Sequence, residues 1–137
     1  MKASKIDGRI FAENLRKKVR QAVNQLPNSP SLAVVLVGED PASQVYVASK
    51  VKFTEECGMN SLEYKLPADT KETEVVNLVK KLNENDKVDG ILVQLPLPEG
   101  MNSDNVIKEI HPDKDVDGLT EASAGRLSLG KSGLRPC

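Results

Sequence analysis

Tyr46 and Lys50 are the first residues whose types and spacing could do chemistry. In Tyr46-Val-Ala-Ser-Lys50 they stand four apart, so on a helix they share one face. At about 100° per residue, Phe53 and Cys57 fall in the same narrow stripe. Val47, Val51 and Thr54 continue the arc to one side, while Ser49, Lys52, Glu55 and Glu56 take the other. The pattern predicts that Lys50 sits inside the face that packs inward. Desolvation there disfavours an ammonium and favours the neutral amine. A lysine so tuned can act as a general base near neutral pH. The plainer alternative is a lysine that lays its stem along the apolar edge and keeps its head in water. For Tyr46 the plainer alternative is a half-buried core tyrosine.

Gln94 is the second candidate. It ends the apolar run Gly90-Ile-Leu-Val-Gln-Leu95 and is followed by Pro96 and Pro98, which stop a strand and hold the backbone extended. The carboxyl ends of parallel strands are where α/β sheets bind ligands. A buried amide needs partners, and Lys50 could supply one; a strand-end glutamine facing water is the alternative. The third candidate is the acidic turn Asp113-Lys-Asp-Val-Asp117-Gly118. It begins like a calcium-binding EF-hand loop, but its twelfth position is Ala124 and Pro112 breaks the helix that should lead in. No metal site is expected. What remains is a tight turn that offers a carboxylate to an N–H-rich ligand or caps itself. His111, beside a proline, reads as structural or solvent-facing. There is no G-x-G-x-x-G after a strand and no phosphate-binding loop, and Gly38-Glu-Asp-Pro41 has too few glycines to cradle a pyrophosphate.

Alternating helices and strands must position these groups. Leu32–Val37 is apolar throughout, as a strand covered on both faces should be. Ser61–Leu66 alternates more weakly, and Gly90–Leu95 is again apolar. Between them, Ile10–Leu26 carries Phe11, Leu15, Val19, Ala22, Val23 and Leu26 at helical spacing. Pro41–Cys57 has Asp40 as N-cap, Pro41 at the first helical position and Gly58 just past its end. Glu72–Glu84 is a third helix, and a short fourth runs from after Ser103 to before His111-Pro112. This order predicts a small three-layer α/β domain, with a mainly parallel sheet and helices on both faces. The domain is expected over residues 1–120. Residues 121–137, rich in Ser and Gly with little core material, read as a connection leading elsewhere.

Composition excludes several classes. With 137 residues, one domain is the default, large enough for a real core without disulfides. The 19 Lys and Arg against 20 Asp and Glu lack the basic excess of a nucleic-acid binder, and 3% aromatics leave no stacking platform for single strands. No run approaches the ~20 apolar residues of a membrane span. Met1 to Arg9 has no apolar stretch of a secretory signal. Two cysteines, Cys57 and Cys137, make no disulfide framework, and a reducing, cytoplasmic location is expected.

Several segments together are specific. They are Ile6-Asp-Gly8, Leu32-Ala-Val-Val-Leu-Val-Gly38, Asp40-Pro-Ala-Ser-Gln-Val-Tyr-Val-Ala-Ser-Lys50, Asp89-Gly-Ile-Leu-Val-Gln-Leu-Pro-Leu-Pro98 and His111-Pro-Asp-Lys-Asp-Val-Asp-Gly-Leu119. In their order and spacing the chain resembles the bifunctional methylenetetrahydrofolate dehydrogenase/methenyltetrahydrofolate cyclohydrolase family, in its amino-terminal catalytic domain. The resemblance covers nearly the whole chain. It implies that Lys50 is the proton-transfer group of the cyclohydrolase step and that Tyr46 stacks on the folate ring system. It implies that Gln94 positions Lys50, that Asp117 accepts from the pterin N–H groups, and that backbone groups of Val93 and Leu95 line the pocket. The implied chemistry is hydride transfer from 5,10-methylenetetrahydrofolate to NADP, followed by hydrolysis of the methenyl product to 10-formyltetrahydrofolate.

Members of that family are about twice this length. The resemblance implies a second, NADP-binding Rossmann-type domain, a final helix that returns to the first, and a homodimer formed largely through the second. Without that half, this chain is expected to bind NADP poorly and to show little dehydrogenase activity or dimerisation. A folate-binding module without turnover is the competing expectation. Short-chain dehydrogenases also use Tyr-x-x-x-Lys, but they need a catalytic serine about a dozen residues upstream and a glycine-rich cofactor turn. Here Ala33 stands thirteen before Tyr46 and no such turn exists. A purely structural interaction domain would leave Tyr46, Lys50 and Gln94 unexplained.

Overall fold

A computed structural model describes residues 6–135. The elements are α1 (Gly8–Val23), β1 (Ser31–Val37), α2 (Pro41–Glu56), β2 (Asn60–Leu66), α3 (Glu72–Glu84), β3 (Gly90–Val93), α4 (Ser103–Ile107) and α5 (Glu121–Ser128). The three strands are parallel in the order β2-β1-β3. The chain therefore moves one way from β1 to β2 and then back across β1 to β3. With crossovers of one hand, that reversal puts α2 and α3 on opposite faces of the sheet. The result is the expected three-layer α/β domain.

Alternation along β1 divides the core in two. Ala33, Val35 and Val37 face α3, where they meet Val75, Val79 and Ile91. Val106 and Ile110, on and just after α4, close the same layer. Val34 and Leu36 face α2, where they meet only Val47 and Leu92 among buried residues. β3 ends at Val93, earlier than Leu95. Gln94 N still donates to Val35 O at 2.8 Å, but Pro96 has no N–H to continue the ladder.

Three expectations need correction. The apolar spacing of the first helix does not mark a core face in this chain. Ile10, Phe11, Leu15 and Leu26 are exposed, Phe11 at 68%, and only Val23 of α1 is buried. α1 touches the domain by lying across α2: Arg16 stacks on the Phe53 ring at 4.5 Å, and Cys57 Sγ lies 3.8 Å from Arg16 O. Second, residues 121–137, read as a connection, begin with a helix, Glu121–Ser128. Thr120 caps α5 by accepting from Ser123 N at 3.2 Å. The thin core content was read correctly, since Ser123 is the one buried residue of that helix. The third correction concerns α2 and is given with the site.

Candidate functional site

α2 starts where predicted. Asp40 Oδ2 accepts from Ser43 N at 2.7 Å, and that backbone bond holds the carboxyl below its ordinary value. The buried face is Ser43, Val47 and Thr54, not the whole Tyr46-Lys50-Phe53-Cys57 stripe. By helical geometry Tyr46 and Phe53 lie about 60–80° round from Ser43, and both are exposed, Tyr46 at 63%. Lys50 falls between the buried row and the exposed aromatics and is half-buried.

From there Lys50 Nζ donates to Gln94 Oε1 at 3.1 Å, across 44 residues of sequence. Gln94 Nε2 donates to Leu95 O at 2.7 Å. These two bonds orient the amide, because an ammonium or amine N–H needs an acceptor and a carbonyl needs a donor. The pair stands at the carboxyl end of β3 beside β1. The helix after β1 covers one face and α4 after β3 joins the other, so the two exits diverge, the arrangement that in open α/β sheets marks the ligand crevice. The neighbouring candidates divide. Val93's side chain is in the α3-side core, so only its backbone faces the site. Leu95 is half-buried, and its carbonyl is already engaged by Gln94.

Asp117 is half-buried on the turn after His111. Among the described residues its carboxylate has no hydrogen bond or ion pair, with Lys50, Gln94 or any other group. The turn runs beside β3: Ile91 N donates to Lys114 O at 2.7 Å, and Ile91 and Asp115 form a parallel bridge. Gly118 has φ of +65°, a conformation that favours glycine at this bend. His111 is exposed, and its Nδ1 accepts from Asp113 N at 3.3 Å.

Sequence reasoning missed Asp115 as an individual. It is fully buried. Its two carboxylate oxygens accept from Leu119 N at 3.2 Å and Thr120 N at 2.9 Å. Burial alone would push its carboxyl up. The Thr120 N–H and the hydroxyls of Ser123 and Thr120 outweigh that and hold it below the ordinary value. The sequence signal was present: an acid before Thr-x-x-Ser, where a helix starts and backbone N–H groups need acceptors. Lys114 was missed too. Its Nζ donates to Leu82 O, Asn83 O and Asn85 O at 2.8–3.2 Å, capping the end of α3.

A cleft of about 530 Å³ lies on the other flank of α2, lined by Gly38, Gln44, Ala48, Lys65 and Pro67 among others. It does not contain Lys50, Gln94 or Tyr46. Among the described residues no three His, Cys, Asp or Glu side chains converge as metal ligands. No helix there is long and apolar enough to cross a membrane.

The fold is a three-layer α/β domain with an amine-amide pair at the carboxyl ends of its strands. Residues 6–117 match the family described as tetrahydrofolate dehydrogenase/cyclohydrolase, catalytic domain. The chain belongs to that family. It is 61% identical over 137 residues to the bifunctional protein FolD of Hyphomonas neptunium, covering all of this chain and 46% of the relative. The crystal structure of the bifunctional FolD enzyme from Campylobacter jejuni superposes with a TM-score of 0.91 at 41% identity, over 96% of this chain and 48% of that one. A Trypanosoma brucei methylenetetrahydrofolate dehydrogenase-cyclohydrolase, complexed with NADP and an inhibitor, gives 0.92 at 30% identity over 98% and 48%. The chain thus spans about half the length of the curated relatives it matches.

Proposed function

We propose that this chain is the folate-binding catalytic half of a bifunctional enzyme of one-carbon metabolism. In the longer protein, 5,10-methylenetetrahydrofolate gives a hydride to NADP, and the methenyl product is hydrolysed to 10-formyltetrahydrofolate. The observation that carries the reading is the 3.1 Å bond from Lys50 Nζ to Gln94 Oε1, with the exposed Tyr46 ring one turn away on the same helix.

Each group has a task in this reading. Tyr46 offers an open aromatic face for the folate rings. Asp117 has free carboxylate capacity for the pterin N–H groups, and backbone groups of Val93 and Leu95 border the ring. Water adds to the cationic methenyl carbon and loses one proton, leaving a neutral carbinolamine. Its hydroxyl proton then leaves as the bond from that carbon to N5 breaks and N5 takes up a proton, so one proton is released overall. Lys50 is the proton-transfer group, and Gln94 holds its Nζ in place.

The described residues do not fit the pyrophosphate of NADP. The helix start that would receive it after β1 already has Asp40 on Ser43 N, and Pro41 has no N–H to give. The acidic Glu39 and Asp40 would also repel it. Hydride transfer therefore falls to the longer protein, with NADP bound by the part beyond this chain; residues 1–120 are the catalytic unit and those after it lead toward the cofactor domain. A homodimer, which the resemblance implies, is proposed for the full-length protein only. A reducing, cytoplasmic setting fits Cys57, buried as a free thiol.

The test is hydrolysis of 5,10-methenyltetrahydrofolate by this chain beside Lys50→Met. Turnover above background that falls by about 10²–10⁴ in the variant supports the reading. Binding without turnover supports the folate-binding module instead. A folded chain with neither overturns the assignment of the site.

A further inference from the structure

We propose that Asp115 is a positioning residue that presets the loop carrying Asp117, an inference that rests on the folate reading above. Asp117 has no partner of its own among the described residues, so something else must hold its turn before ligand arrives. Asp115 is the buried group that does so. Its two oxygens take the N–H groups of Leu119 and Thr120, on the far side of the Asp117-Gly118 bend. Gly118 N also donates to Asp115 O at 3.3 Å, closing the bend from the backbone.

The bend is then fastened to β3. The Ile91–Asp115 bridge runs parallel to the strand, and β3 carries Gln94 at its end. Asp115 and Gln94 are therefore tied to the same strand, the acid through its bridge to Ile91 and the amide just past the strand's end. Gly90 completes the attachment: a Cβ there would stand 2.6 Å from Val116 Cγ1. A side chain at that point of the strand would meet Val116, which would have to turn aside for the loop to keep its place.

Removing one charge-assisted acceptor leaves a backbone N–H facing an amide N–H, so the turn opens without unfolding the sheet. Asp115→Asn is therefore expected to weaken tetrahydrofolate binding about tenfold. Gly90→Ala should do the same from the opposite side of the loop.

The experiment measures tetrahydrofolate affinity of this chain for the parent, Asp115→Asn, Asp117→Ala and the double variant. Amide hydrogen exchange by NMR is recorded on each. The expected result is a loss from Asp115→Asn in the parent background and no further loss when Asp117 is already alanine. Faster exchange should be confined to residues 117–120. A role in general stability would instead give equal losses in both backgrounds, with exchange quickened along β3, and would overturn the proposal. Unchanged affinity in Asp115→Asn overturns it too. If that variant does not fold, Gly90→Ala in the two Asp117 backgrounds decides by the same criterion. A folded parent that binds no tetrahydrofolate overturns the folate reading, and this inference falls with it. The exchange data then report separately whether Asp115 shapes the turn.

Discussion

Ile91 and Leu92 are neighbours on β3, yet they look into different layers. Ile91 joins the core under α3 and α4, with Ala33, Val35, Val75 and Val79 around it. Leu92 meets the smaller cluster of Val34, Leu36 and Val47 under α2. The α2 layer also admits Ser43, Thr54, Lys50 and Gln94. One face of the sheet is packed for cohesion, and the other gives up apolar area to place polar groups at the strand ends. Interiors at native packing density leave little room for a ligand or a reactive amine. The thinner side is where this domain has room for such groups.

Stability measurements test that division. Ile91→Ala should destabilise the chain by about 2–5 kcal/mol in denaturant melts. Leu92→Ala should cost clearly less, because its surroundings are shallower and can collapse. Equal losses would break the comparison. Lys114→Met comes next, at roughly 1–3 kcal/mol, since it leaves three carbonyls at the end of α3 without their donor.

A smaller effect concerns pH. Asp115 has its carboxyl held below the ordinary aspartate value in the folded state. Its contribution to stability is therefore complete above about pH 4 and is lost as the pH falls through the lower folded value. Melts between neutral and acid pH should show a steeper decline for the parent than for Asp115→Asn. Parallel curves would show that the buried carboxylate is not stabilised as its hydrogen bonds require. The smallest change is expected at α1. Phe11→Ser should shift stability by no more than about 0.5 kcal/mol, because Phe11 is 68% exposed. A larger loss would show that the α1 face is covered in solution.

Much of this was legible in the residues. The strand and helix ranges followed from apolar runs, from Asp40-Pro41 and from the prolines after Gln94, all of which act within a few residues. The sidedness of α2 was legible only in part. Spacing placed Tyr46, Lys50, Phe53 and Cys57 together, but spacing gives an arc and not the point on it that meets the sheet. Ser43, Val47 and Thr54 mark that point, and polar residues such as Ser43 and Thr54 give no hydrophobic signal. Phe11 and Leu15 misled for a related reason: an apolar stripe states that a face can be covered, not that this chain covers it.

By itself, the sequence determined the alternation of elements, the three-layer class and the family, along with the residue types the chemistry needs. These rest on local backbone preferences and on motifs read in order. Tertiary structure alone decided that Lys50 reaches Gln94 across 44 residues, that Asp115 is fully buried while Asp117 is only half-buried, and that one side of the sheet is thick and the other thin. Such contacts depend on how rigid elements rotate and dock. Docking is set by the sum of weak packing terms over the whole domain, which no short stretch of chain contains.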